Sequence, residues 1–566
     1  MALLDWIVIA VFFLALVGII LWVMRQKQNN AADYFLGGKD ATWIAIGASI
    51  FASNIGSEHL IGLAGSGASS GMAMAHWEIQ GWMILILGWV FVPFYTRSMV
   101  YTMPEFLERR YNGASRSILS IISLISYVLT KVAVTVYAGG LVFQQVFGID
   151  ELWGIDFFWI AAVGLVLITA LYTIFGGMKS VLYTSVLQTP ILLLGSAIIL
   201  VLGLKELGGW DEMMRICSAV KVNEAGDTMT NLIRTNEDPN FPWAGALIGS
   251  AVIGFWYWCT DQFIVQRVLS GKDEKEARRG TIFGAYLKLL PVFLFLIPGM
   301  IAFALHQKSG SFLPLMQGTT GEMIANSDAA FPTLVAKLLP AGVKGLIVCG
   351  ILAALMSSLA SLFNSSAALF TIDFWQRYKP NTDPKKLVKI GQAATVVIVV
   401  LGILWIPIMR SVGDVLYLYL QDVQSVLAPG IAAAFLAGVC WKRATAQGGM
   451  WGLIAGLAIG LTRLGAKIYY SNAATVPGGD GNLFQALFYD MNWLFFCGWM
   501  LVFCLLVVFF VSIFTKAPSA EKIQGLVFGT STPEQRAATR ASWNHWDIIH
   551  SVIILGITAA FYYYFW

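Results

Sequence analysis

Long stretches of this chain run for roughly 17–28 residues without one Asp, Glu, Lys or Arg, enough to cross a hydrocarbon core of about 30 Å as helices. They include 79–96, 157–178, 180–204, 289–305, 345–372, 423–441 and 492–515. Inside lipid every backbone N–H and C=O must be satisfied within the segment, which leaves a chain of such runs little but helices. Composition agrees: over 566 residues, 58% are hydrophobic and only 12% charged. A soluble chain of that length would split into several domains and expose far more charge. The expected class is an all-α polytopic membrane protein, embedded in a lipid bilayer.

Hydropathy places spans near 5–24, 41–65, 75–97, 117–147, 154–176, 180–205, 243–268, 280–305, 341–373, 388–409, 413–441, 446–465, 490–515 and 546–566, about fourteen transmembrane helices. Loops after odd-numbered spans are basic, with Arg25 and Lys27, then Arg97, Arg109, Arg110 and Arg116, then Lys272, Lys275, Arg278 and Arg279. Lys379, Lys385, Lys386 and Lys389 continue the pattern, whereas the alternate loop 148–153 carries Asp150 and Glu151. The positive-inside rule then predicts an even number of spans with both termini on the outer side.

The two long outward loops, roughly 206–242 and 306–340, lack the apolar periodicity of a separate core and are expected to be surface covers. The polar stretch 516–545 reads as a cytoplasmic linker. The first apolar run has no basic region before it and no small-residue cleavage site, so it reads as a retained helix and not a signal peptide. Five of the six cysteines lie in apolar runs and no pair has metal-ligand spacing. The net charge of +4 reads as loop bias, not as nucleic-acid affinity.

Polar residues at membrane depth then single out where chemistry happens, because burying them there costs several kcal/mol. In the second span Ser53, Asn54, Gly56, Ser57, Glu58 and His59 interrupt an apolar stretch, and such a cluster favours an unwound turn whose freed carbonyls face a cavity. Glu78 heads the third span beside Trp77; it could equally be an interfacial carboxylate in an aromatic belt. Tyr257 and Trp258 lie in an aromatic run that ends in Thr260, Asp261 and Gln262, and aromatic packing alone could explain it. Lys288 could snorkel to the surface, and Gln421, with Asp422, could simply bond a neighbouring helix. Taken together, directional donors and acceptors beside flat rings suit a neutral polyhydroxylated ring, such as a pyranose. A second cluster, Ala354, Ser357 and Ser358, shares one helix face at i, i+3, i+4. Serines there could bond their own backbone, but two hydroxyls opposite freed carbonyls also make a cage for a small hard cation.

At these residues the chain resembles the sodium/solute symporter family, in its sodium–glucose cotransporter branch, over nearly its whole length. The resemblance is carried jointly by Ala32-Asp-Tyr-Phe-Leu-Gly-Gly38, Ala52-Ser-Asn-Ile-Gly-Ser57, Tyr101-Thr-Met-Pro-Glu-Phe106, Trp256-Tyr-Trp-Cys-Thr-Asp-Gln262, Ile264-Val-Gln-Arg267 and Ser357-Ser-Leu-Ala-Ser-Leu-Phe-Asn364. It implies a five-plus-five inverted-repeat (LeuT-type) core, with repeats at about 41–205 and 243–441, an extra N-terminal helix at 5–24 and extra helices over 446–566. It implies a sugar site of Asn54, His59, Glu78, Tyr257, Trp258, Lys288 and Gln421, with Tyr257 as inner gate and Leu63, Trp77 and Tyr417 as outer cap. Sodium would lie among the carbonyls of Ala52, Ile55 and Ala354 and the hydroxyls of Ser357 and Ser358. In one place the chain departs from the family, which usually has an aspartate where Ser185 stands, just inward of that cage.

The expected activity is sodium-coupled import of a neutral monosaccharide, glucose- or galactose-like, by alternating access in the plasma (inner) membrane. Another polyol such as myo-inositol would reuse most of the polar set, and a sugar-gated sensor or channel is the rival from another class. An enzyme is not expected, because no nucleophilic or water-activating arrangement accompanies Glu78 and His59.

Overall fold

The structure is a computed structural model, and it describes residues 1–26, 28–56, 58–317, 323–411, 416–471 and 482–566. Ten of its helical segments are long and apolar enough to cross a membrane. Their polarity is inverted relative to a soluble protein. Leu14, Leu404, Val502 and Phe510 face outward, while Ser53, Glu78, Lys288, Ser357 and Ser358 are buried. That distribution fits an apolar solvent outside and a polar site within.

The second span is broken, as its composition predicts. Helix Trp43–Asn54 ends at Ile55, whose backbone turns extended at φ −80° and ψ 110°. The chain resumes in a π-helical turn, Glu58–Leu63, and continues as helix Ala64–Ser70. The seventh span behaves similarly, with helix Trp243–Gly254 running through a π-helical turn, Phe255–Thr260, to an extended Asp261 that caps helix Gln262–Leu269. Wide turns of this kind recur at functional sites because they redirect carbonyls and side chains without ending the helix.

The expected spans 154–176 and 180–205 form one continuous run, Phe157–Leu207, that hinges at Gly177 with φ 54° and ψ −150°. Helix Val343–Ala368 lies along this run, and helix Trp43–Asn54 lies along helix Glu274–Lys288. Helix Trp43–Asn54 of the broken span is thereby packed against Glu274–Lys288, Phe157–Leu207 and Val343–Ala368.

The loop after Phe157–Leu207 and the C-terminal region act as clamps. The loop after Phe157–Leu207 contains helix Trp210–Ser218 and folds over the Ser70 end of the broken span. There Met72 N–H donates to Met229 O at 2.8 Å, and Arg234 donates to Ser70 O while pairing with Asp238 at 3.1 Å. Leu232 N–H donates to Phe565 O at 2.9 Å, tying the last helix, His545–Tyr564, to the same cover. The stretch 516–545, expected as a linker, carries helices of its own and docks on the basic side. Arg97 donates to Ser531 Oγ at 3.0 Å, Ser542 Oγ donates to Glu274 Oε1 at 3.1 Å, and Val527 is fully buried.

Candidate functional site

The break in the second span opens onto a cavity with about 710 Å³ of atom-free space in and in front of it. All seven residues expected to hold substrate line it: Asn54, His59, Glu78, Tyr257, Trp258, Lys288 and Gln421. They come from six separate helical segments, so the convergence is a property of the fold and not of local sequence.

One wall is charged. Lys288, the last residue of helix Glu274–Lys288, donates to Glu78 Oε2 at 2.6 Å, and His59 Nε2 lies 3.4 Å from the same oxygen. Lys288 is only 3% exposed, which excludes the snorkelling alternative, and Glu78 at 1% is no interfacial carboxylate. The Lys288 ammonium also sits 5.3 Å above the Trp258 ring. Trp258 is itself fixed, its indole N–H donating to Gln80 Oε1 at 3.2 Å, while Gln80 donates to Ser250 O at 2.8 Å.

The opposite wall is neutral. Asn54 Nδ2 donates to the Tyr257 hydroxyl at 3.3 Å. Asn54 Oδ1 and Gln421 Oε1 are buried without a hydrogen-bond partner among the described residues. An unsatisfied buried polar atom costs about 1–3 kcal/mol, a cost that a ligand hydroxyl donating to either oxygen would remove.

Of the expected cap residues, Trp77 lines the cavity, stacked on Trp493 at 5.5 Å between ring centres and edge-on to Phe241 at 6.1 Å. Leu63 is buried behind the lining. The side chain of Tyr417 lies outside the described residues, as does Ser57 of the polar cluster.

Beneath Tyr257 sits an ion pair that sequence reasoning had not assigned. Lys131 Nζ lies 2.7 Å from Asp261 Oδ2 and 4.7 Å from the centre of each of the Tyr257 and Phe263 rings. Tyr127 donates its hydroxyl to the other carboxylate oxygen of Asp261. Lys131 lines the cavity, as do Glu58, Gln80, Thr135 and Gln424. The signal for Lys131 was present, since a lysine inside the apolar run 117–147 is as costly as Lys288. Glu58 belonged to the polar cluster without a role.

The expected cation set is partly assembled. Ser358 Oγ bonds the carbonyl oxygens of Ser53 and Ile55, at 2.9 and 3.2 Å, across the break. Ser357 Oγ instead shares a hydrogen bond with Ser185 Oγ at 3.3 Å. Ala52 and Ala354 are buried one turn before Ile55 and Ser358. The gathered groups are neutral oxygens, the donor type a small hard cation takes.

The sodium:solute symporter family profile matches residues 34–456. The mouse sodium/myo-inositol cotransporter 2 is 38% identical over 541 residues, 93% of this chain and 79% of that protein. The zebrafish sodium/glucose cotransporter 4 is 36% identical over 533 residues, 92% of this chain and 80% of that protein. A solved Na+-coupled sialic acid symporter in a substrate-bound outward-open state superposes with a TM-score of 0.70 at 22% identity, covering 91% of this chain and 99% of that one. That likeness shows the fold, the LeuT-type all-α architecture. The class is therefore a multi-pass, sodium-coupled secondary transporter rather than an enzyme. The chain belongs to the sodium:solute symporter family.

Proposed function

We propose that this symporter imports a neutral six-membered-ring polyol together with sodium, with a glucose- or galactose-like monosaccharide as first reading. The observation that carries it is the convergence of Asn54, His59, Glu78, Lys288 and Gln421 beside Tyr257 and Trp258 in one buried cavity. Donors and acceptors arranged around a flat ring suit alternating hydroxyls on an apolar ring face. The Glu78 charge is already matched by Lys288, which favours a neutral ligand over an ionic one.

In this reading sodium occupies the set Ala52, Ile55, Ala354, Ser357 and Ser358, tying the broken helix to helix Val343–Ala368. Trp77, with Leu63 and Tyr417, caps the outer approach, and Tyr257 closes the inner one. Alternating access is a rocking of the repeats 41–205 and 243–441 about this site, with the helix at 5–24 and those over 446–566 outside the core. The protein resides in the plasma (inner) membrane with both termini outward, as its basic loops suggest. Myo-inositol is the second reading, favoured by relatives named sodium/myo-inositol cotransporter 2 at 36–38% identity.

The deciding experiment is sodium-dependent uptake of labelled glucose, galactose and myo-inositol into proteoliposomes. Gln421→Ala should lower uptake about tenfold, as loss of one well-placed hydrogen bond predicts, and Ser358→Ala should weaken the sodium dependence. Normal transport by both variants would overturn the site assignment. Substrate-induced current without accumulation would mark a sensor or channel instead.

A further inference from the structure

We propose that an anionic phospholipid binds on the outer wall of this protein, independently of the substrate site. One acyl chain lies between helix Gly113–Ser126 and helix Pro384–Ser411, with the headgroup at the basic loop that joins 376 to 389. The open groove between those helices offers about 1180 Å³ in and in front of it, and its lining is almost wholly apolar, with Leu124, Ile125, Phe370, Ile390, Val397 and Leu401 among its walls. Along helix Pro384–Ser411 the lining runs from Ile390 to Leu401, about 17 Å at 1.5 Å per residue. That matches one leaflet, about half of a 30 Å hydrocarbon core. The groove is therefore as deep as an acyl chain is, and it ends where the chain ends.

Its mouth is built for negative charge. One turn before Ile390 stands Lys386, which with Lys379 lines a second hollow of about 780 Å³. Trp375 forms part of both walls, so the two hollows meet at its ring. This Trp is held at the interface, its indole N–H donating to Thr382 Oγ1 at 3.3 Å and the Lys379 ammonium lying 5.0 Å over its ring. Interfacial Trp residues sit at headgroup depth. Lys379, Lys385, Lys386 and Lys389 are all exposed. Among the described residues no carboxylate pairs with any of them. Asp383, the acidic group at the mouth, is occupied instead by the backbone N–H groups of Lys385 and Lys386, at 3.0 and 3.2 Å. Four lysines outnumber that one carboxylate, so the mouth keeps a net positive charge directly above an apolar slot, the complement of an anionic headgroup on its own acyl chain. A zwitterionic lipid fills the slot equally well but leaves that charge unmatched, so the preference is for the anionic class.

The test is native mass spectrometry of the full chain, released from vesicles of equal phosphatidylglycerol and phosphatidylcholine. Wild type should retain phosphatidylglycerol at least fivefold over phosphatidylcholine. Lys379→Glu with Lys386→Glu should abolish that preference, and Lys379→Arg with Lys386→Arg should keep it. Ala393→Trp, which fills the groove from its lipid-facing side, should lower retention of both lipids. Equal retention of the two lipids by wild type would overturn the proposal. So would loss of preference in the charge-reversed variant with Ala393→Trp unaffected, which would reduce the site to surface charge. A dimer peak that Ala393→Trp dissolves would assign the groove to a second copy and overturn it too.

Discussion

The Glu78–Lys288 pair sets the energetics of the cavity at the level of single residues. Both groups are buried and 2.6 Å apart. A buried pair adds little net stability over an apolar substitute, but removing one partner strands a charge and costs about 3–5 kcal/mol. Lys288→Met is therefore expected to lower the unfolding midpoint markedly in detergent. Adding Glu78→Gln should restore most of that loss while leaving transport defective, because the polar wall would be gone. Thermal unfolding and uptake measured on the same three proteins separate the outcomes. If the double variant unfolds no later than Lys288→Met alone, the stranded-charge account is wrong. The pair was legible in sequence one member at a time, since each stands out at membrane depth. That they meet was not legible, because 210 positions separate them and the fold alone closes that distance. Trp77 shows the same limit, since its stacking on Trp493 depends on a C-terminal helix placed by long-range packing.

Backbone geometry decides behaviour at the scale of elements. Gly177 hinges two membrane helices at φ 54° and ψ −150°, a region that side-chain-bearing residues rarely enter, and a Cβ there would meet Tyr34 O at 2.5 Å. Gly164, one helix earlier, has nothing within 4 Å of its would-be Cβ. Gly177→Ala should therefore cost about 1–3 kcal/mol, whereas Gly164→Ala should be neutral or mildly stabilising. Equal unfolding midpoints for the two would show that the hinge carries no strain penalty. The turn Ser327–Ala329, in the loop 306–340, makes a second prediction, in pH. Burial raises the Asp328 carboxyl from 3.8 to about 6. The folded protein then holds this proton more tightly than the unfolded chain, so stability falls as pH rises from about 4 to about 6 and stays reduced above. Asp328→Asn should stabilise the protein by up to about 3 kcal/mol at pH 7.5 and by nothing below pH 4. A difference that does not shrink on acidification would rule out the carboxyl as its source. Helix breaks such as 53–59 could be read from sequence because polar residues and Gly56 interrupt an apolar run. The folding of 516–545 could not, because its few apolar residues find partners on other segments, as Phe528 does on Phe94.

The molecule as a whole is a sodium-coupled symporter, and the proposed sodium and substrate sites share a physical route to that coupling. Ser358 both lines the cavity and bonds the carbonyls of Ser53 and Ile55, while Asn54 between them offers its amide to the same cavity. A ligand that orders this break for one site orders it for the other, so each should raise the other's affinity by the same factor. How many ions take part turns on the position held by Ser185. Its hydroxyl donates to Val181 O at 2.6 Å and meets Ser357 at 3.3 Å, giving a neutral contact where a carboxylate could have held a second cation. We therefore expect one sodium per substrate. Coupled transport reverses where the electrical and chemical driving forces cancel. With sodium balanced across the membrane, a tenfold substrate gradient should then shift the reversal potential by about 59 mV for one charge and about 30 mV for two. A shift near 30 mV in the wild-type protein would sink the single-ion reading. Ser185→Asp tests its cause, because an anion beside Ser357 should tighten sodium binding or move the shift toward 30 mV. If that variant changes neither, then Ser185 does not set the ion count, and the neutral contact serves only to pack helix Phe157–Leu207 against Val343–Ala368.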